Sequence, residues 1–121
     1  MPSRERVEAF VSMVEARRYL EAMEEFYSPE ATAQENNDPP RVGLPALLEN
    51  ERKTLSRFGA AEAQCIRPIV IDGDQVVIHW VFTFPLPTGA KLKLDEWALQ
   101  TWRNEKLLNE RFFYDSRQTR P

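Results

Sequence analysis

The chain has 121 residues, 42% of them apolar, and 16 basic against 19 acidic side chains leave a net charge of −3. That size and apolar fraction suit one packed domain, 1–121, and argue against disorder. No basic block marks a nucleic-acid surface, and no apolar run approaches the roughly 18 residues of a membrane span.

Cys65 is the only cysteine and His79 the only histidine. An intrachain disulfide is therefore impossible, and the common zinc sites lack ligands. No metal or cofactor is expected. The start, "MPSRERVEAF", is charged and carries no apolar signal segment. A reducing cytoplasm is the expected compartment.

In chain order, Ser3 is placed to cap a first helix with Glu5 in its first turn. Val7, Phe10, Val11 and Val14 then form one helical face. Leu20, Met23 and Tyr27, with Phe26 beside them, follow in a different phase. The break near Arg17-Arg18 predicts two short helices, the second ended by Ser28-Pro29. Gly43 and Pro45 open a third helix, on which Leu44, Leu47, Leu48, Leu55 and Phe58 share a face, and Gly59 closes it. The charges at 49–57 read as its solvated side.

After Gly59 the period changes to two. Strands are predicted over Ala61–Ile71, Val76–Phe84, Lys91–Trp102 and Leu107–Tyr114. Asp72-Gly73-Asp74 and the turn at 103–106 join them, and "PLPTG" breaks the middle hairpin. The order predicts an α+β domain, with helices packed on one face of an antiparallel sheet. Ile78, Trp80, Phe82 and Phe84 lie on one side of the second strand, and Val77, His79, Val81 and Thr83 on the other. Both sides look buried, so a second subunit is the expected cover for the outer face.

With "FYSPEAT" before a polar segment and "NERFFYD" at the end, the chain resembles the nuclear-transport-factor-two-like superfamily, in particular its SnoaL-like proteins. The resemblance implies a cone: a curved antiparallel sheet wrapped around three N-terminal helices, an internal pocket, and a dimer interface on the outer sheet face. Family members include ketosteroid isomerases, limonene epoxide hydrolases, scytalone dehydratase and polyketide cyclases, besides proteins that only bind or assemble. The implied function is binding of a small apolar molecule, with lyase or isomerase chemistry by proton transfer as the enzymatic version. The alternative is a non-catalytic ligand-binding or protein-interaction module.

The resemblance also nominates residues. The general base of the isomerases falls on Glu35 in "ATAQE". Their oxyanion donors, a Tyr on the first helix and an acid on a late strand, fall at or near Val11 and Ala98, which cannot donate. Steroid isomerisation is therefore not expected. The working Asp of the epoxide hydrolases falls on Phe112, and Asp115 is expected to be structural. The histidine of the dehydratases and cyclases can only be His79, which faces the pocket if the "PLPTG" hairpin adds no residue to the register.

Glu35 and His79 are thus the catalytic candidates, and Val11, Glu96, Ala98, Glu110, Phe112 and Tyr114 the pocket candidates. Each has an ordinary alternative. Glu35 can be a solvated strand-end acid, or one paired with Arg41. His79 can be a core histidine beside Trp80, and Glu96 one half of a cross-strand salt bridge. Trp80, Trp97 and Trp102 read as core or interface aromatics, and Cys65 as a small core residue.

Overall fold

The computed structural model describes residues 1–119. Ser3 does cap the first helix, α1 (Arg4–Glu15): its Oγ accepts from the Arg6 amide at 3.1 Å. The phase break has a backbone cause, since Arg17 adopts a left-handed φ of 64° and separates α1 from α2 (Tyr19–Phe26). Tyr27, expected on the helical face, instead opens strand β1 (Tyr27–Glu35), and a two-residue strand β2 (Arg41–Val42) returns beside it. Helix α3 (Leu44–Phe58) starts at Gly43 with Pro45 in its first turn, and the Gly59 amide closes it onto the Leu55 carbonyl.

Four strands follow: β3 (Glu62–Asp72), β4 (Gln75–Pro85), β5 (Lys91–Arg103) and β6 (Lys106–Phe113). With β1 and β2 they form one sheet in the order β2-β1-β6-β5-β4-β3. The hairpins β3–β4, β4–β5 and β5–β6 are antiparallel as expected. The β1–β6 pair runs parallel, because β1 enters the sheet from α2 and not from a hairpin. The sheet is therefore mixed, curved and unclosed, and Pro68 is accommodated in β3 because that strand lies at the edge.

The concave face carries the core. Phe10 from α1 meets Phe26 edge-on at 5.5 Å and Trp102 at 6.1 Å. Val7, Val11, Ile78, Trp80 and Leu107 are buried with them. α3 is different: only Leu47 on it is fully buried. Leu44 and Leu48 pack against the core, Phe58 meets Phe84 edge-on at 5.5 Å, and between them Leu47 and Leu55 border a space. Among the described residues no helix is long and apolar enough to cross a membrane.

Candidate functional site

Beneath α3 the sheet and helices enclose a cavity of about 220 Å³. Phe10, Trp80, Phe82, Phe84, Leu94 and Phe112 give it apolar walls, and Glu35, Glu51, Glu96 and Glu110 bring carboxyl groups into it. These four acids do not play the same part.

Glu110 is 4% exposed and fully engaged. The Tyr27 hydroxyl donates to its Oε1, and Gln100 Nε2 donates to Oε2 at 2.6 Å. The Trp102 indole in turn donates to Gln100 Oε1 at 2.9 Å. Burial raises the Glu110 carboxyl above its ordinary range, although both hydrogen bonds pull it back. Tyr27 is held far above its ordinary value by burial and by the adjacent Glu110. A satisfied buried network of this kind locks a core.

Glu96 is the opposite case. It stands opposite Trp80 in the β4–β5 ladder and is 6% exposed, yet among the described residues no hydrogen bond or ion pair holds its side chain. Burial, then the neighbouring Glu110 and Glu35, push its carboxyl up to about 8. A carboxyl titrating there can give or take a proton near neutral pH. The expected cross-strand salt bridge is not formed, because the opposing residue is an indole.

Glu35 ends β1, with Ala31 and Ala33 on the same face. It lines the cavity mouth and at the same time forms the pair with Arg41 that is its ordinary alternative, which counts against Glu35 as a free base. Arg41 Nη1 lies 2.9 Å from Oε2, and the Tyr114 hydroxyl donates to Oε1 at 3.0 Å. The next residue, Asn36, is left-handed (φ 49°), and its amide donates to the Phe112 carbonyl at 2.8 Å. This pins the end of β1 to β6 and aims Glu35 inward. Tyr114, itself raised by burial and by Glu35, reaches the site through that carboxylate and does not line the wall.

Three nominated positions lie elsewhere. His79 pairs with Trp97 in the β4–β5 ladder and occupies the outer face of the sheet, because Ile78 and Trp80 take the inner one. There its Nε2 lies 2.7 Å from Asp95 Oδ1, and its ring stacks on Trp97 at 4.1 Å. It does not line the cavity. Val11 and Ala98 are fully buried in the core, and neither borders the cavity. Phe10 and Val14 take the α1 side of the wall, and on β5 the cavity is bordered by Leu94 and Glu96, the latter two residues before Ala98.

Glu51, among the charges at 49–57 expected on the solvated side of α3, lines the cavity instead, and burial raises its carboxyl. The signal was present: Leu47, Glu51 and Leu55 are spaced four apart on one helical face. Tyr27 and Gln100 left no such trace, since their partner Glu110 is distant in sequence. Among the described residues no group of His, Cys, Asp and Glu is placed to hold a metal ion.

Solved structures share this fold. A protein of Mesorhizobium loti provisionally named a SnoaL-like polyketide cyclase is 21% identical, with a TM-score of 0.78 over 94% of this chain and 100% of its own. TerC, crystallised with polyporic acid, is 16% identical, with a TM-score of 0.80 over 95% of this chain and 92% of its own. A protein of Burkholderia pseudomallei named NTF2-like and of unknown function is 11% identical, with a TM-score of 0.81 over 95% and 92%. At these identities the likeness is one of fold. No curated protein matches the sequence. The sequence model of the SnoaL-like domain matches residues 7–109, and the chain belongs to that family.

Proposed function

We propose that the protein binds a small, largely apolar molecule in the cavity beneath α3 and exchanges a proton with it through Glu96, as a lyase or isomerase would. The observation that carries this reading is Glu96 itself: buried, without a side-chain partner among the described residues, facing an open space, and raised by burial to about 8. Glu35 supplies a second polar group, held in place by Arg41 and Tyr114. The presence of polyporic acid with TerC supports a fold of this type taking a small organic molecule. The test is deuterium incorporation from D₂O into a panel of small cyclic ketones, followed by proton NMR. Glu96→Gln is expected to slow exchange by about 10²–10³-fold, while Asp95→Asn leaves it unchanged. Equal rates in Glu96→Gln and the parent would end the reading.

A non-catalytic binding module is the second reading. What favours it is that Glu35 and Glu110 already have their hydrogen bonds, which leaves only Glu96 and Glu51 without one among the described residues.

For the outer sheet face we propose a second copy of the chain as cover. Trp97 and Phe113, neighbours in the ladder, are 48% and 40% exposed there. Sedimentation should give about twice the 14.1 kDa of one chain, and a monomer at micromolar concentration would refute the dimer. The single cysteine is free and buried, in keeping with the reducing cytoplasm we propose as compartment.

A further inference from the structure

The polar groups of the cavity are one-sided in charge. Four carboxyls face it, and the one guanidinium among its lining residues, Arg41, is already paired with Glu35. An anionic ligand would meet four carboxyl groups and no guanidinium or ammonium group that is not already paired. The walls beside Glu96 are aromatic: Trp80 stands opposite it in the ladder, and Trp80 and Phe82 are stacked at 5.5 Å. Ring faces carry negative potential and attract cations. A buried carboxyl with no partner is costly unless something it binds completes it. The carboxyls are not grouped as a metal-ion site among the described residues, which favours an organic cation over a metal.

We propose that the ligand of this cavity is a small organic ammonium ion, its charged head seated between the Glu96 carboxylate and the indole of Trp80, and its apolar body against Phe82, Phe84 and Leu94. This rests on the small-molecule-binding part of the reading above and names its substrate class. Seating the cation requires Glu96 to be ionised, so binding below the titration of Glu96 releases a proton. The other groups facing this space are Glu110, Glu35 and Glu51 from β6, β1 and α3, with Arg41 from β2. Glu110 and Glu35 are held by their hydrogen-bond partners. Tyr19 and Tyr27 stay neutral below pH 9, both raised by burial. Glu51 and Glu110, both raised by burial, can add to the pH dependence, and the Glu96 variant separates their share from that of Glu96.

The test uses choline, whose charge does not titrate, and its uncharged carbon isostere 3,3-dimethylbutan-1-ol, by calorimetry on the full chain. Choline should bind about tenfold or more tightly than the isostere above the titration of Glu96. Its affinity should rise with pH by at most about tenfold per unit. Heats measured near neutral pH in phosphate and in Tris should differ by the ionisation heat of the released proton. Glu96→Gln should abolish the preference and most of the pH dependence while leaving the isostere's affinity unchanged. If both probes bind alike, or choline binding is pH-independent, the cation inference falls while the ketone-exchange test of Glu96 stands on its own. Choline failing to bind at millimolar concentration also overturns it. The wild-type pH and buffer series needs no variant, so a misfolded Glu96→Gln would not rescue the idea.

Discussion

Asp95 and Glu96 are adjacent on β5 and differ by one methylene, yet they live in different chemical worlds. Asp95 points outward, exposed, with His79 2.7 Å away. Glu96 points inward at 6% exposure, without a partner, and is pushed up to about 8. Strand alternation sends neighbours to opposite faces, and the face decides the chemistry. On the outer side a carboxylate is hydrated and pairs. On the inner side it is desolvated beside other acids and keeps its proton to near-neutral pH. The same contrast separates Trp80 from Trp97, one buried against Phe82 and the other half-exposed beside His79.

The sharpest test of that contrast is the pH dependence of stability. The ordinary value for Glu96 is 4.5, and its folded value is raised to about 8. Between the two, the folded state holds a proton that the unfolded state has released, so this group's stabilising contribution is full below about 4.5 and is lost as pH rises towards 8. The slope is about 1.4 kcal/mol per pH unit, on the order of 5 kcal/mol across the window. Urea unfolding of Glu96→Gln relative to the parent should show that gap opening with pH. Asp95→Asn should show no gap of that size over the same range, and parallel curves for all three proteins would break the comparison.

Next in size is the aromatic pair. Trp80→Ala should cost about 3–5 kcal/mol, as for other large core deletions. Trp97→Ala should cost about 1 kcal/mol or less at concentrations where the chain is monomeric. Thermal unfolding of both variants would measure this, and equal losses would mean that the outer face is as much a core as the inner one.

The smallest effect separates the two inner acids. Tyr27→Phe removes the hydroxyl that donates to Glu110 and should cost about 1–3 kcal/mol. Because Glu96 does not use that hydroxyl, proton exchange on a ketone probe should fall less than twofold once the protein is folded. A large loss of exchange would place Glu110 and Tyr27 in the chemistry and not only in the scaffold.

Much of this frame was readable from residue spacing. The helical phases, the break at Arg17, the glycine limits of α3 and the hairpins of β3 to β6 are local properties, set by side-chain period and backbone conformation within a few residues. The grouping of Glu96, Ala98 and Gln100 on one face follows from alternation alone. So does the grouping of Ala31, Ala33 and Glu35, once that stretch is a strand.

Tertiary structure decided the rest. Period two says that His79 and Trp80 face opposite ways, but only the packed helices say which side is inside. Tyr27 finds Glu110 83 positions later, a contact no local pattern announces. β1 joins β6 in parallel, which sets Glu35 beside Phe112 in the ladder and within reach of Tyr114. Above all, the proton affinity of Glu96 belongs to its surroundings. A glutamate in a sequence is an ordinary acid; burial against aromatic walls and two other carboxyls makes it one that holds its proton near neutrality, because desolvation depends on every element that excludes water from it and not on its neighbours in the chain.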